Sequence, residues 1–273
     1  VGKMGLFCGV LILSYYNVVA GWAFGYFLEM VTGNFDIGKN FGAFVSDWQR
    51  VALYGVCFMA ATAVIVSGGI KGGIERAARI LMPTLITIIA FLVIYAMTLP
   101  NAMAGVEFYL VPDFSEITGS VIYAALGQAF FSLSLGMGAL ITYGSYVSKK
   151  ENIISSAALI TLTDVGIAFF AGLMMFPFVF SLGLEPSGGP GLIFVTLPQA
   201  FQTLGPTLGV VIGSLFFMLL SFAALTSTVS LLEVPVSYMV DEHNWPRKKA
   251  VWAIAGFIFV IGIPSLLANG AST

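Results

Sequence analysis

Residues Gly127–Gly138 read GQAFFSLSLGMG and lie inside an apolar run long enough to cross a membrane. Ser132 and Ser134 can bond back to the helix backbone, and Gly136 and Gly138 are poor helix formers. The pattern therefore predicts a local helix break. Because lipid satisfies no backbone groups, an unwound segment needs a ligand, an ion or a buried partner. Small residues also permit close helix packing, and the pattern alone leaves that alternative open.

The composition of the whole chain is that of a polytopic membrane protein. Of its 273 residues, 59% are hydrophobic and only 9% are charged, whereas a soluble domain has about 25% charged residues. So few charges cannot cover the surface of a soluble protein of this size. The composition also excludes a disordered chain, a disulfide scaffold and a basic domain that binds nucleic acid. The expected environment is the lipid bilayer.

Seven apolar segments are long enough to span a bilayer, which requires about 20 residues. They are residues 4–31, 49–67, 80–100, 119–147, 153–183, 206–240 and 250–268. Their apolar residues are continuous and do not alternate, which favours helices over a β-barrel. The sequence predicts an all-α polytopic membrane protein with a single transmembrane domain over residues 1–273.

The cations in the loops predict the orientation of the chain. Nine of the eleven Lys and Arg residues fall on one side of the predicted membrane. They are Lys3, Lys71, Arg76, Arg79, Lys149, Lys150, Arg247, Lys248 and Lys249. The positive-inside rule then places the N-terminus of this chain in the cytoplasm and its C-terminus outside.

Three acidic residues fall within the apolar segments. Asp164 lies roughly 16 Å deep, near the bilayer midplane. An unpaired carboxylate there costs at least ~2.5–3.5 kcal/mol. An ion or proton site is therefore favoured, with a hydrogen-bonded packing acid as the alternative. Glu29 is expected to reach the outer interface, and Glu233 fits a helix-packing hydrogen bond and a functional role equally well.

A cluster of hydroxyls marks the sixth apolar segment. Four hydroxyl side chains occur within Thr226–Ser230. Hard cations such as Na⁺ favour oxygen ligands. The alternative is that each hydroxyl bonds a carbonyl of its own helix. This cluster, Asp164 and the predicted break can converge on one site near the midplane.

Several motifs resemble, in the same order, those of the neurotransmitter:sodium symporter family. They are Ser14–Tyr16, Gly73–Arg76, Met82–Pro83, Gly127–Gly136, Tyr143–Tyr146, Gly191–Pro198 and Leu225–Ser227. The resemblance implies a partial LeuT-type inverted-repeat fold of the bacterial amino-acid transporter branch. The seven segments would correspond to family helices 3–9, and the family's other helices have no counterpart in this chain.

The resemblance also implies a function for the full-length parent protein. That function is Na⁺-coupled symport of a hydrophobic or aromatic amino acid by alternating access, in the bacterial inner membrane, with a chloride requirement left open. Tyr16 would bond the substrate carboxylate, and Phe131 would form an aromatic lid. The implied substrate-binding residues are Tyr16, Phe131, Ser132, Ser134, Met137 and Leu231. The implied cytoplasmic gate residues are Tyr146 and Asp241.

The same resemblance implies two sodium sites. Ser132 and Asp164 would serve the first, although Asp164 would alternatively supply a carboxylate that replaces chloride. The carbonyl of Ala223 and the hydroxyls of Thr226 and Ser227 would form the second.

Two other classes of function remain for comparison. A membrane scaffold or accessory subunit with the same fold, which does not transport, is the alternative to a transporter. An enzyme is not expected, because the sequence has no Ser/His/Asp set and no His/Glu metal cluster. Its single histidine, His243, lies in a polar loop.

Overall fold

The computed structural model describes residues 2–148, 150–181, 183 and 189–271, and one of the loop cations used to predict the orientation, Lys149, lies outside them. Within this part of the chain there are eleven α-helices. They are α1 (Gly2–Val31), α2 (Phe41–Ser46), α3 (Trp48–Ser67), α4 (Glu75–Met97), α5 (Ala102–Leu110), α6 (Gly119–Ser132), α7 (Ala139–Tyr146), α8 (Ile153–Ser181), α9 (Leu197–Thr203), α10 (Pro206–Asp241) and α11 (Arg247–Ala271). Short π-helical turns, Ile70–Ile74 and Leu192–Thr196, precede α4 and α9.

Six continuous helices in the described residues are long and apolar enough to cross a membrane. They are Gly2–Val31, Trp48–Ser67, Ile70–Met97, Ile153–Ser181, Pro206–Asp241 and Arg247–Ala268. Six of the seven predicted segments therefore form single helices. The seventh, residues 119–147, is not continuous, because α6 ends at Ser132 and α7 begins at Ala139. The predicted helix break is confirmed.

Helix α1 packs against α3, α10 and α11. Glycines allow these backbones to approach closely. A Cβ atom placed on Gly262 of α11 would overlap the carbonyl oxygen of Ser14. A Cβ atom on Gly21 would lie 3.0 Å from the backbone nitrogen of Gly55 in α3. Small residues at such positions let membrane helices gain van der Waals contact. These close contacts at glycines hold α1 against α3 and α11.

An aromatic core joins α1 and α10 to the connection that precedes α10. The fully buried Tyr26 ring lies 5.0 Å, between centroids, from both Phe194 and Phe217. The Tyr26 hydroxyl donates to the carbonyl of Ile37, 3.2 Å away. Such tilted and edge-to-face contacts add to the stabilisation from burial alone. The segment Leu192–Thr203 is thereby held against one end of α1 and α10.

Candidate functional site

The break between α6 and α7 is built from residues with left-handed backbone. Ser134 has a φ angle of +54°, and Gly136 and Gly138 each have +80°. Glycine adopts such angles without penalty, whereas serine does so at a cost. The N–H of Ser134 still bonds the carbonyl of Phe131, and that of Leu135 bonds Phe130. The chain then leaves helical geometry until Ala139 begins α7.

Two glycines of α1 provide the surface on which the break rests. A Cβ atom on Gly5 would lie 3.0 Å from the backbone nitrogen of Gly138. A Cβ atom on Gly9 would lie 3.1 Å from the carbonyl oxygen of Met137. This i, i+4 spacing places both glycines on one face of α1. The unwound backbone therefore packs directly on a helix, and close packing accompanies the break.

A cavity of about 790 Å³ opens beside this break. Most of its wall is apolar, with a few polar groups, as is usual for sites that bind small molecules. The predicted site residues on its wall are Tyr16, Phe131, Ser132, Ser134, Met137, Asp164, Thr226, Ser227 and Leu231. Gln128, Tyr143 and Thr163 also line it, and the sequence predicts no role for them. Residues from α1, α4, α6, α7, α8 and α10 thus meet at one place.

Ser132 and Asp164 form a hydrogen-bonded polar pair on the cavity wall. The Ser132 hydroxyl, at the last residue of α6, donates to Asp164 Oδ2 of α8 at 2.7 Å. Both residues also line the cavity. Because the hydroxyl retains lone pairs and the carboxylate has a second oxygen, the pair presents oxygen atoms of the kind that a hard cation takes.

The hydroxyls of α10 bond carbonyls of their own helix. Thr226 Oγ1 and Ser227 Oγ both donate to the carbonyl of Ala223, at 2.8 and 3.2 Å. Thr226 and Ser227 both line the cavity, as does Tyr16 of α1. Helix-internal bonding and a cluster of three oxygens therefore coexist in this turn.

The carboxylate of Glu233 lies in a buried network. Its side chain is 0% exposed and bonds the Arg247 guanidinium at 3.1 and 2.5 Å. The Tyr146 hydroxyl donates to the same carboxylate at 2.7 Å. Arg247 Nε also donates to the carbonyl of Val66, at 3.0 Å. The sequence left two interpretations of Glu233 open, a contact that packs helices and a functional role. The structure provides the packing contact, because the ion pair and its hydrogen bonds join α3, α7, α10 and the start of α11.

The sequence did not predict Arg247 as the partner of Glu233. The available signal was its position at the start of α11, a short loop after the helix that carries Glu233. Of the two residues predicted as gates, Tyr146 bonds Glu233. Asp241 lies instead on a second cavity of about 550 Å³, together with Lys3 and Ser145. Their gate roles stay predictions.

Glu29 lies near the end of α1, where it was expected to reach the outer interface, and it has partners within the protein. Its side chain is 12% exposed, and it forms an ion pair with Arg50 of α3. The amide of Asn34 donates to its other carboxylate oxygen at 2.6 Å. Arg50 also donates to the Tyr54 hydroxyl at 3.1 Å. The carboxylate is satisfied inside the protein because the first turn of α3 brings a cation to the end of α1.

Residues 44–273 match the family model described as the sodium:neurotransmitter symporter family. The chain belongs to this family. It is a family of transporters and not of enzymes. The predicted membership and the all-α membrane fold are both confirmed.

Individual relatives agree with the family match. The chain is 39% identical to an uncharacterized sodium-dependent transporter of Haemophilus influenzae, over 98% of this chain and 61% of that protein. It is 38% identical to the sodium-dependent transporter YhdH of Bacillus subtilis, over 98% and 60%. The chain thus spans about three fifths of the length of these bacterial relatives.

A solved structure supports the same fold. The crystal structure of MhsT in complex with L-phenylalanine matches with a TM-score of 0.89 and 46% identity. The match covers 99% of this chain and 62% of MhsT. The chain therefore has the fold of an integral membrane protein with several apolar spans.

Proposed function

We propose that the full-length protein containing this chain is a symporter, which couples Na⁺ to the uptake of a hydrophobic or aromatic amino acid by alternating access. The observation that carries the proposal is the cavity beside the helix break. It combines unwound backbone, an apolar wall and two sets of oxygen atoms. Broken helices of this kind supply backbone groups to substrate and ions in secondary transporters.

The substrate pocket lies between the apolar residues Phe131, Met137 and Leu231, which line the cavity. The flexible thioether of Met137 suits an adaptable apolar pocket. The Tyr16 hydroxyl and the backbone of the break near Ser134 serve the charged end of an amino acid. The similarity to MhsT, which was crystallised in complex with L-phenylalanine, supports this substrate class.

Sodium binds at the two oxygen sets. Ser132 and Asp164 serve the first site, and the Ala223 carbonyl, Thr226 and Ser227 serve the second. Both sets contain only oxygen, as a hard cation prefers. Ser132 lies on the substrate cavity and also bonds Asp164, so that ion and substrate share a residue. This sharing couples the inward Na⁺ gradient to substrate movement.

The protein resides in a bacterial inner membrane as one transmembrane domain over residues 1–273 of this chain and its flanking helices. The cations in the loops support a cytoplasmic N-terminus of this chain and an external C-terminus. Tyr146 and Asp241 act at the cytoplasmic side of the site.

Flux into proteoliposomes tests the proposal. We expect the full-length protein to accumulate radiolabelled L-phenylalanine, L-leucine or L-tryptophan only with an inward Na⁺ gradient. Equal uptake with and without the gradient would refute coupling. Absence of both uptake and Na⁺-dependent binding would favour a membrane scaffold that does not transport.

Substitutions separate the two sodium sites. Asp164→Ala, and Thr226→Ala combined with Ser227→Ala, should each raise the Na⁺ concentration required for half-maximal uptake. The control is Thr87→Ala, which removes an exposed hydroxyl bonded only to its own helix, at the Pro83 carbonyl. Unchanged Na⁺ dependence would refute the assignment of that site. A chloride requirement that emerges in the Asp164 variant would identify its carboxylate as a chloride substitute.

A further inference from the structure

Two fully buried hydroxyls meet between α3 and α10, outside the cavity. Thr62 and Thr228 are both 0% exposed, and their Oγ1 atoms lie 2.8 Å apart. Thr62 Oγ1 lies 3.0 Å from the carbonyl of Phe58. Thr228 Oγ1 lies 3.0 Å from the carbonyl of Leu225. The pair is a polar contact between two helices that also share a buried apolar cluster, which includes Ala63 and Leu232.

The number of protons makes this contact between helices obligatory. The two hydroxyls carry one proton each, but they have three short contacts to satisfy. If both protons went to the helix carbonyls, two hydroxyl oxygens would face each other at 2.8 Å without a proton between them. The favoured arrangements therefore keep one proton between Thr62 and Thr228 and leave one carbonyl to its ordinary backbone partner.

The pair lies directly beside the residues proposed to bind a cation. An α-helix advances about 100° per residue, so Thr228 points roughly opposite to Thr226. Thr226 and Ser227 line the cavity, while Thr228 is buried against α3. The rotation of α10 about its axis thus determines whether the first two hydroxyls face the site. A hydrogen bond between helices is directional, so it adds to the packing that resists such a rotation.

We propose that Thr62 and Thr228 are positioning residues, which fix the rotation of α10 and so hold Thr226 and Ser227 in place for Na⁺. This inference rests on the function proposed above. It deepens that function by assigning a role to α3, which contributes no residue to the cavity wall among those described.

Thr62→Val is the decisive variant. Valine keeps the shape of threonine, and Thr228 can still donate to the Leu225 carbonyl, so that no buried donor is left unpaired. In the full-length protein, we expect the Na⁺ concentration for half-maximal binding of radiolabelled L-phenylalanine to rise about three- to twentyfold. That is the range that one hydrogen bond between membrane helices can contribute. The affinity for L-phenylalanine at saturating Na⁺ should change less than twofold.

Further variants separate positioning from folding. Thr62→Ser restores a hydroxyl and should return the Na⁺ requirement to within about twofold of the wild type. Thr228→Val should behave as Thr62→Val, and the double variant should be no worse than either single variant, since both remove the same bond. Thr87→Val is the matched control, because the Thr87 hydroxyl bonds only a carbonyl of its own helix. It should leave the Na⁺ requirement unchanged.

Each outcome decides the inference. An unchanged Na⁺ requirement in Thr62→Val, or an equal loss of affinity at saturating Na⁺, overturns it while the proposed function stands. Failure of both valine variants to fold identifies the pair as a folding contact and overturns it as well. A wild-type protein without Na⁺-dependent binding overturns the proposed function and the inference together.

Discussion

Replacing Arg247 by methionine should destabilise the protein far more than replacing its partner Glu233 by glutamine. The Glu233 side chain is 0% exposed, whereas that of Arg247 is 23% exposed. Without Arg247, the buried carboxylate keeps only the Tyr146 hydroxyl as a donor among the contacts described. Leaving a buried charge without its partner costs about 3–5 kcal/mol.

In the Glu233→Gln variant, the charge left without its partner is that of Arg247. A guanidinium without Glu233 still donates to the Val66 carbonyl and retains access to solvent. Glutamine also keeps an oxygen that accepts a hydrogen bond. We therefore expect a loss of about 1 kcal/mol. In a domain of this size, 1 kcal/mol shifts the midpoint of thermal unfolding by about 2–4 °C. The expected shifts are thus about 6–20 °C for Arg247→Met and about 2–4 °C for Glu233→Gln.

Thermal unfolding of the purified protein in detergent, followed by tryptophan fluorescence, measures this difference. Adding Glu233→Gln to Arg247→Met should restore part of the lost stability, because no buried charge then remains. The matched control is Arg79→Met, which breaks a pair with Glu75 that is exposed on both sides, at 76% and 51%. That pair should contribute less than about 1 kcal/mol. Equal losses for Arg247→Met and Glu233→Gln would refute the reasoning.

Two further substitutions test the break and the pocket. Gly138→Ala places a Cβ atom at a φ angle of +80° and 2.9 Å from Val234 Cγ1. It should lower the free energy of unfolding by at least about 1–2 kcal/mol, as measured by thermal unfolding. The control is Gly256→Ala, where a Cβ atom meets nothing within 4 Å, and it should be neutral or slightly stabilising. Met137→Ala enlarges the pocket and should raise the preference for L-tryptophan over L-leucine by about tenfold in competition binding, and an unchanged ratio would contradict the assigned pocket.

Features set by local chemistry could be predicted from the sequence. The six continuous spans follow from hydropathy over about 20 residues, a property of each segment by itself. The break between Ser132 and Ala139 could be expected from local sequence too, because Gly136 and Gly138 adopt left-handed backbone without penalty, although small residues alone also fitted close helix packing.

Contacts between distant segments were harder to derive. Nothing in the neighbourhood of Asp164 names Ser132, its hydrogen-bond partner 32 residues earlier. Their similar depth in the membrane suggested a shared site, but only the family resemblance paired Ser132 with Asp164. The sequence likewise did not pair Glu29 with Arg50, because Arg50 reaches it from another helix. Side-chain partners depend on helix packing, which periodicity and hydropathy do not encode.

The ion pair of Glu233 bears on how the chain enters the membrane. A carboxylate moving into the bilayer core is costly until a cation neutralises it. Glu233 and Arg247 are only 14 residues apart in sequence, and Glu29 and Arg50 only 21. During synthesis, each acid is therefore followed within seconds by its own cation, at the rate of about 5–20 residues per second. Membrane insertion of these segments can proceed with their charges already matched, before the helices from remote parts of the chain assemble.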